Sequence, residues 1–191
     1  MKLTHDLVLG SKSPRRAQLL SDLGFNFRVL VTDADENAPL DLDGAGTARW
    51  ISEQKARALQ PHLESNELGI TSDTEVWLND RRYGKAKDYD EAHEMLQSLS
   101  GKTHQVITGL SLITPDDITT YHTTVEVTFK ELPNWAIDHY IKEYQPFDKA
   151  GAYGIQEWIG SAYISSIKGE YNAVVGLPTS TLFEALEKFK A

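Results

Sequence analysis

Leu7-Val8-Leu9-Gly10-Ser11-Lys12-Ser13-Pro14-Arg15-Arg16, running on through Ala17-Gln18-Leu19-Leu20-Ser21-Asp22-Leu23-Gly24, reads as a short apolar strand, a glycine–serine turn and a helix. Ser13 suits the N-cap, because its hydroxyl can accept a free backbone N–H of the first turn. Pro14 suits the first helical position, where its missing N–H costs nothing. Leu19, Leu20 and Leu23 fall on one helical face, and Gly24 can take a left-handed C-cap. A helix N-terminus presents unpaired N–H groups and the positive end of the dipole. Here Ser11, Lys12, Ser13, Arg15 and Arg16 crowd that end, which suits an anion and above all a phosphate. The same residues also fit an ordinary strand, turn and capped helix with exposed arginines. The run is not a Walker A loop, which needs glycine directly before the lysine; Ser11 stands there.

The chain has 191 residues, a length that suits one domain or two tightly joined lobes, and 40% of them are hydrophobic, enough for a full core. No cysteine is present, which excludes disulfides, cysteine-ligated zinc and thiol catalysis. Lys2, His5 and Asp6 interrupt the N-terminal apolar run, and no apolar stretch is long enough to span a bilayer. The expectation is a cytoplasmic protein with no membrane partner. Net charge is −9, from 19 basic and 28 acidic residues, which disfavours nucleic acid as a partner. It leaves room for a small anionic substrate held by local cations and a divalent ion.

Further along, Phe25–Val31 reads as a strand and Asp33-Ala34-Asp35-Glu36 as an acidic run leading into a loop. A helix is expected from about Ala48 to Leu59, with Lys55 on the same stripe as Ile51. Two readings of Lys55 are open: a stem that packs while its ammonium reaches water, which residue type alone favours, or a cation aimed into a cleft. Leu68–Leu78 reads as a strand with Asp73 at its middle, and Asn79-Asp80 as a turn. A basic segment, Arg81–Lys87, precedes a helix capped by Asp88 and stopped at Gly101. His104–Ile113 and Thr120–Lys130 read as strands, and about Asn134–Glu143 as a helix. The Asp148–Gln156 run breaks regular structure, and its small residues allow close backbone approach to a ligand. Short strands are expected near Ala162–Ile167 and Ala173–Val175. A last helix opens at Leu177-Pro178, with Leu182, Phe183, Leu186 and Phe189 inward. The pattern predicts an α/β fold with a mixed, twisted sheet and flanking helices.

The polar candidates are Ser11, Arg15, Arg16, Glu36, Lys55, Asp73, Thr74, Lys85 and Gln156. Acids at strand ends and middles suit magnesium-dependent phosphoryl chemistry, and the cations suit a polyphosphate. No histidine has metal-ligand spacing, and no Gly-x-Ser-x-Gly elbow occurs. In order along the chain stand Ser11–Arg16, Glu36, Glu53–Ala56, Ser72-Asp73-Thr74, Gly84-Lys85, Leu99–Gly109, Asp148–Gln156 and Val175–Pro178. This set resembles the Maf family of nucleoside triphosphate pyrophosphatases over nearly the whole chain. Asp148-Lys149-Ala150-Gly151-Ala152-Tyr153-Gly154-Ile155-Gln156 in particular resembles the dTTP/UTP branch rather than its 7-methyl-GTP sister.

The resemblance implies a single Maf-like domain over residues 1–191, with two lobes around a deep cleft in the Maf/ITPase-like manner, often dimeric. It implies Asp73 as the catalytic proton acceptor, with Lys55 and Lys85 as catalytic cations. Arg15, Thr74 and Gln156 match the positions that set nucleotide choice. Ser11, Arg15 and Arg16 would bind phosphate, and Glu36 with Asp73 would hold a divalent metal, Mg²⁺ or Mn²⁺. The reaction implied is cleavage between the α- and β-phosphates of dTTP and UTP, in nucleotide house-cleaning. The other readings are a nucleotide-binding regulator of septum formation, and the 7-methyl-GTP activity. Two positions depart from the family pattern. Glu75 stands where an apolar residue is usual, and reads as a solvated outer-face acid or a modulator of metal affinity. Ala86 stands where proline is usual, and frees a turn.

Overall fold

The computed structural model describes all residues, Met1–Ala191. Strand β1 (Asp6–Leu9) runs into helix α1 (Pro14–Asp22). Ser13 caps that helix, its side chain accepting from the Arg16 N–H, and Pro14 opens it. Gly24 follows with φ +80. Strand β2 (Phe27–Val29) is shorter than the expected Phe25–Val31, because Phe25 turns into the core and the strand pairs only with β1. Helix α2 (Gly44–Leu59) starts earlier than expected, since Asp43 caps it through the Gly46 N–H. Strand β3 (Glu67–Leu78) turns at Asn79-Asp80 into β4 (Arg81–Tyr83), so part of the basic segment is a strand. Helix α3 (Tyr89–Leu99) and strands β5 (Thr103–Ile113) and β6 (Ile118–Phe129) follow, then helix α4 (Asn134–Tyr144).

The C-terminal quarter departs most from the reading of its sequence. Trp158–Tyr163 is a helix, α5, and the strand after it, β7, runs Ile164–Lys168. Tyr171–Val175, expected to be a strand at Ala173–Val175, is a helical turn, α6. Its valines carry the strand signal, but Gly176 at φ +133 closes the turn, and the N–H groups of Gly176 and Leu177 both reach the Asn172 carbonyl. In the last helix, α7 (Thr179–Leu186), Leu182, Ala185 and Leu186 are buried. Phe183, expected inward, is exposed, lying a third of a turn round from Leu182. Phe189 is partly buried against the same core. No helix is long and apolar enough to cross a membrane.

All seven strands form one mixed sheet in the order β2-β1-β3-β5-β6-β7, with β4 also on β3. β1 is parallel to both neighbours, and the remaining pairs are antiparallel. Strand β3 is the axis. One edge pairs with β5 from Gly69 to Trp77. Its other edge pairs with β1 up to Ile70 and with β4 only from Val76 onward. Thr71–Glu75 therefore has no strand partner on that edge. The sheet parts there, as β1 leaves into the Gly10–Ser13 turn, and an opening where strands diverge is a favoured ligand position in α/β folds.

The core divides at the same place. Leu68 and Ile70 of β3 join the cluster that includes Leu7, Leu9, Leu20 and Leu182. Val76 and Leu78 join a larger cluster with Val106, Phe129, Tyr140 and Tyr153. Between these two apolar anchors, Asp73 and Thr74 are the half-buried pair in an otherwise mostly buried strand.

Candidate active site

A cavity of about 410 Å³ opens at the parting of the sheet. Ser11, Arg15, Arg16, Glu36, Lys55, Asp73, Thr74, Lys85 and Gln156 all line it, so the nine residues singled out by sequence share one cleft. With Lys12 and Lys149 they make six cationic side chains there, against the four carboxylates of Asp33, Glu36, Asp73 and Asp148. The balance is positive in a chain whose net charge is −9.

At the centre, Lys55 Nζ lies 2.6 Å from Asp73 Oδ1 and 3.0 Å from Glu36 Oε1. The lysine is therefore a cation aimed into the cleft, and the snorkelling alternative is set aside. Its position depends on how α2 lies across the sheet. Gly109 faces Asp73 in the β3–β5 register, and a Cβ there would stand 2.1 Å from the Ala48 carbonyl oxygen of α2. Only glycine lets the helix come that close. The buried hydroxyls of Ser52 and Thr71 fasten the same contact, Thr71 donating to the Ser52 carbonyl at 2.9 Å.

At the turn after β1, Ser11 Oγ accepts from the Ser13 N–H and from Arg16 Nη1, each at 3.2 Å. Its own hydroxyl hydrogen is left to donate into the cleft. Arg16 lines the cavity, but all three of its guanidinium nitrogens are engaged with protein. Nε donates to the Gly176 carbonyl at 2.8 Å, Nη1 to Ser11, and Nη2 to Thr74 Oγ1 at 3.4 Å. Burial pulls the Arg16 pKa below its ordinary value, the opposing pull of Asp73 being weaker. Thr74 is further tied to Thr108 Oγ1 at 3.1 Å. Lys12 and Lys85 are exposed and have no carboxylate partner. Lys85 is fixed through its backbone, which bridges to Ala150. Gln156 is exposed at the rim.

Glu75 is not a solvated acid. It lies two residues from Asp73, hence on the same face of β3, and is 4% exposed. Arg82 of β4 forks onto it, at 2.5 Å from Nε and 2.8 Å from Nη2. Burial, with Asp73 adding, pushes the Glu75 carboxyl up to about 7 against the pull of Arg82. Ala86 is buried in the larger core.

The sequence points to the Asp148–Gln156 run through its backbone alone, and it assigns no role to several side chains that shape the cleft. Asp148 and Lys149 lie 2.7 Å apart, and Asp148 also accepts from Arg15 Nη1 at 2.9 Å. Tyr153 forms part of the wall, its hydroxyl tied at 2.7 Å to Nε2 of buried His104. The signal for the first pair was present, a charged couple at the head of a glycine-rich run. Nothing in the sequence links His104 to Tyr153, which are 49 positions apart.

A mixed sheet that parts at its central strand, with a cation-rich cleft at the parting, defines an α/β protein with a site for a small anion. The chain belongs to the Maf family: the profile described as Maf-like protein matches residues 6–189. Among curated relatives, a protein of Bacteroides thetaiotaomicron named dTTP/UTP pyrophosphatase is 43% identical over 185 residues, covering 96% of each chain. A Phocaeicola vulgatus protein of the same name is 44% identical over 185 residues, again with 96% of each covered. One from Flavobacterium johnsoniae, likewise named, is 40% identical over 182 residues, 95% of this chain and 94% of that one. The structure of the Staphylococcus aureus Ham1 protein shares 19% identity at a TM-score of 0.41, over 65% of this chain and 71% of that one.

Proposed function

We propose that this protein is a nucleoside triphosphate pyrophosphatase acting on dTTP and UTP, releasing the nucleoside monophosphate and pyrophosphate. The observation that carries the reading is the Glu36–Lys55–Asp73 cluster, set in one cleft with Ser11, Lys85 and Gln156. The names of the relatives support the same substrates. We place the reaction in the cytoplasm, in clearance of unwanted nucleotides.

Water attacks the α-phosphorus, and the bond from that phosphorus to the bridging oxygen breaks. Asp73, fixed at the middle of β3, accepts the proton of the attacking water. Lys55 and Lys85 stabilise the charge that builds on the departing pyrophosphate. Ser11 donates its free hydroxyl hydrogen to a phosphate oxygen. Arg16 contributes charge and braces Ser11 and Thr74, since its nitrogens are already bonded within the protein. Arg15, Thr74 and Gln156 select the nucleotide. The Gln156 amide both donates and accepts, as the edge of a pyrimidine ring requires.

Glu36 and Asp73 are the residues that would hold a divalent cation, Mg²⁺ or Mn²⁺. The donor set fits, because both carboxylates already converge on a single ammonium group. Magnesium takes oxygen ligands and is commonly held by one or two carboxylates together with substrate phosphates and water. No cluster of three His, Asp or Glu side chains could hold a metal with protein ligands alone. When bound, such a cation offsets phosphate charge and acidifies water.

A substrate panel tests the reading. With Mg²⁺ or Mn²⁺, turnover of dTTP and UTP well above that of purine triphosphates and 7-methyl-GTP is expected. Nucleotide binding without turnover would point instead to a regulator, and preference for 7-methyl-GTP to the sister activity.

A further inference from the structure

The Arg15 side chain makes one hydrogen bond in this structure, and its acceptor, 133 positions away, also lines the cleft. Arg15 stands in the first turn of α1, a helix packed on the smaller core through Leu20. Asp148 ends the 3-10 turn Pro146–Asp148, at the head of the run that leads to Tyr153 and the larger core. The two oxygens of Asp148 face different ways. Oδ2 accepts from Arg15 Nη1 at 2.9 Å, and Oδ1 accepts from Lys149 Nζ at 2.7 Å.

The Lys149 side is largely buried and held by two acids. Its side chain is 10% exposed and its ammonium also lies 3.1 Å from Glu157 Oε1. Glu157 in turn accepts from the hydroxyl of Tyr140, a fully buried residue of α4. A chain of ion pairs and hydrogen bonds therefore runs from the larger core out to Asp148 and on to Arg15. An arginine side chain has many rotamers, and one fixed corner removes much of that freedom while leaving the other N–H groups free. Arg15 otherwise stands beside the like charge of Arg16, with no second acid partner.

We infer that Asp148 is a positioning residue: it fixes the Arg15 guanidinium across the mouth of the cleft, and the nucleotide choice made by Arg15 depends on it. This rests on the pyrophosphatase reading above. Asp148 is 59% exposed. An ion pair that exposed adds little to stability, so its consequence is geometric.

The test is a double-mutant cycle on the full chain, read as kcat/KM for dTTP divided by that for dGTP. Asp148→Ala is expected to lower this ratio roughly tenfold, mainly through KM, with kcat within about twofold and the melting temperature unmoved. In an Arg15→Ala background the same substitution is expected to do nothing further. Asp148→Glu, which keeps the charge, is expected to recover part of the ratio. An unchanged ratio in Asp148→Ala overturns the inference. So does a loss of equal size in the Arg15→Ala background, or a fall in kcat that tracks a fall in melting temperature. Failure of the wild-type protein to hydrolyse dTTP would overturn the proposed function as well, and is seen before any variant is made.

Discussion

Lys55 holds two carboxylates that would otherwise repel across the cleft. Asp73 is the member to which the chemistry is assigned. Asp73→Asn keeps the size of the side chain and a hydrogen-bond acceptor for Lys55, but not a base. We predict that it binds dTTP within a few-fold of wild type and loses roughly 10²–10⁴-fold in kcat. Isothermal titration and steady-state kinetics measure the two separately, and retained turnover would remove Asp73 from the role. The position of Asp73 was legible because an acid inside an apolar strand is conspicuous. The direction of Lys55 was not, because its stripe on α2 fits both a solvated and a buried ammonium. Only Asp73 and Glu36, neither of them local in sequence, decide between the two.

Elements meet here through a few close approaches, and that of Gly109 sets α2 against the sheet. Gly109→Ala sets a methyl group 2.1 Å from the Ala48 carbonyl oxygen, so α2 must move away from the sheet and take Lys55 with it. We predict a loss of about 1–3 kcal/mol in denaturant unfolding, together with activity reduced beyond what the remaining folded fraction explains. Unchanged activity would show that the α2–β5 spacing does not set the site. Buried His104 on β5 makes a second prediction at this scale. Burial holds its pKa at about 4, below the ordinary 6.5. Between those values the unfolded chain binds a proton that the folded chain does not. This contribution to stability is therefore complete above pH 6.5 and declines as pH falls to 4, by about 3 kcal/mol. In urea titrations across that range, His104→Phe is predicted to flatten the slope; a slope equal to wild type would contradict the assignment. The strand, turn and helix at the start of the chain were legible because capping chemistry is local. The α6 turn was not, since its valines favour a strand and only the Gly176 closure, braced by Arg16 from α1, makes it helical.

For the molecule as a whole, the distribution of charge separates this site from the rest of the surface. The chain carries a net −9, yet six cations face one cleft, and a compact polyanion is drawn to that cleft while extended polyanions are repelled elsewhere. The parting of the sheet gives this its place. β1 and β4 share an edge of β3 without meeting, and the gap between them is where the two cores and the charged side chains converge. The central claim is hydrolysis between the α- and β-phosphates, and product identification tests it most directly. Incubation of the purified protein and Mg²⁺ with dTTP, followed by chromatographic separation, is predicted to yield thymidine monophosphate and pyrophosphate in equal amounts. Thymidine diphosphate with orthophosphate would contradict the account.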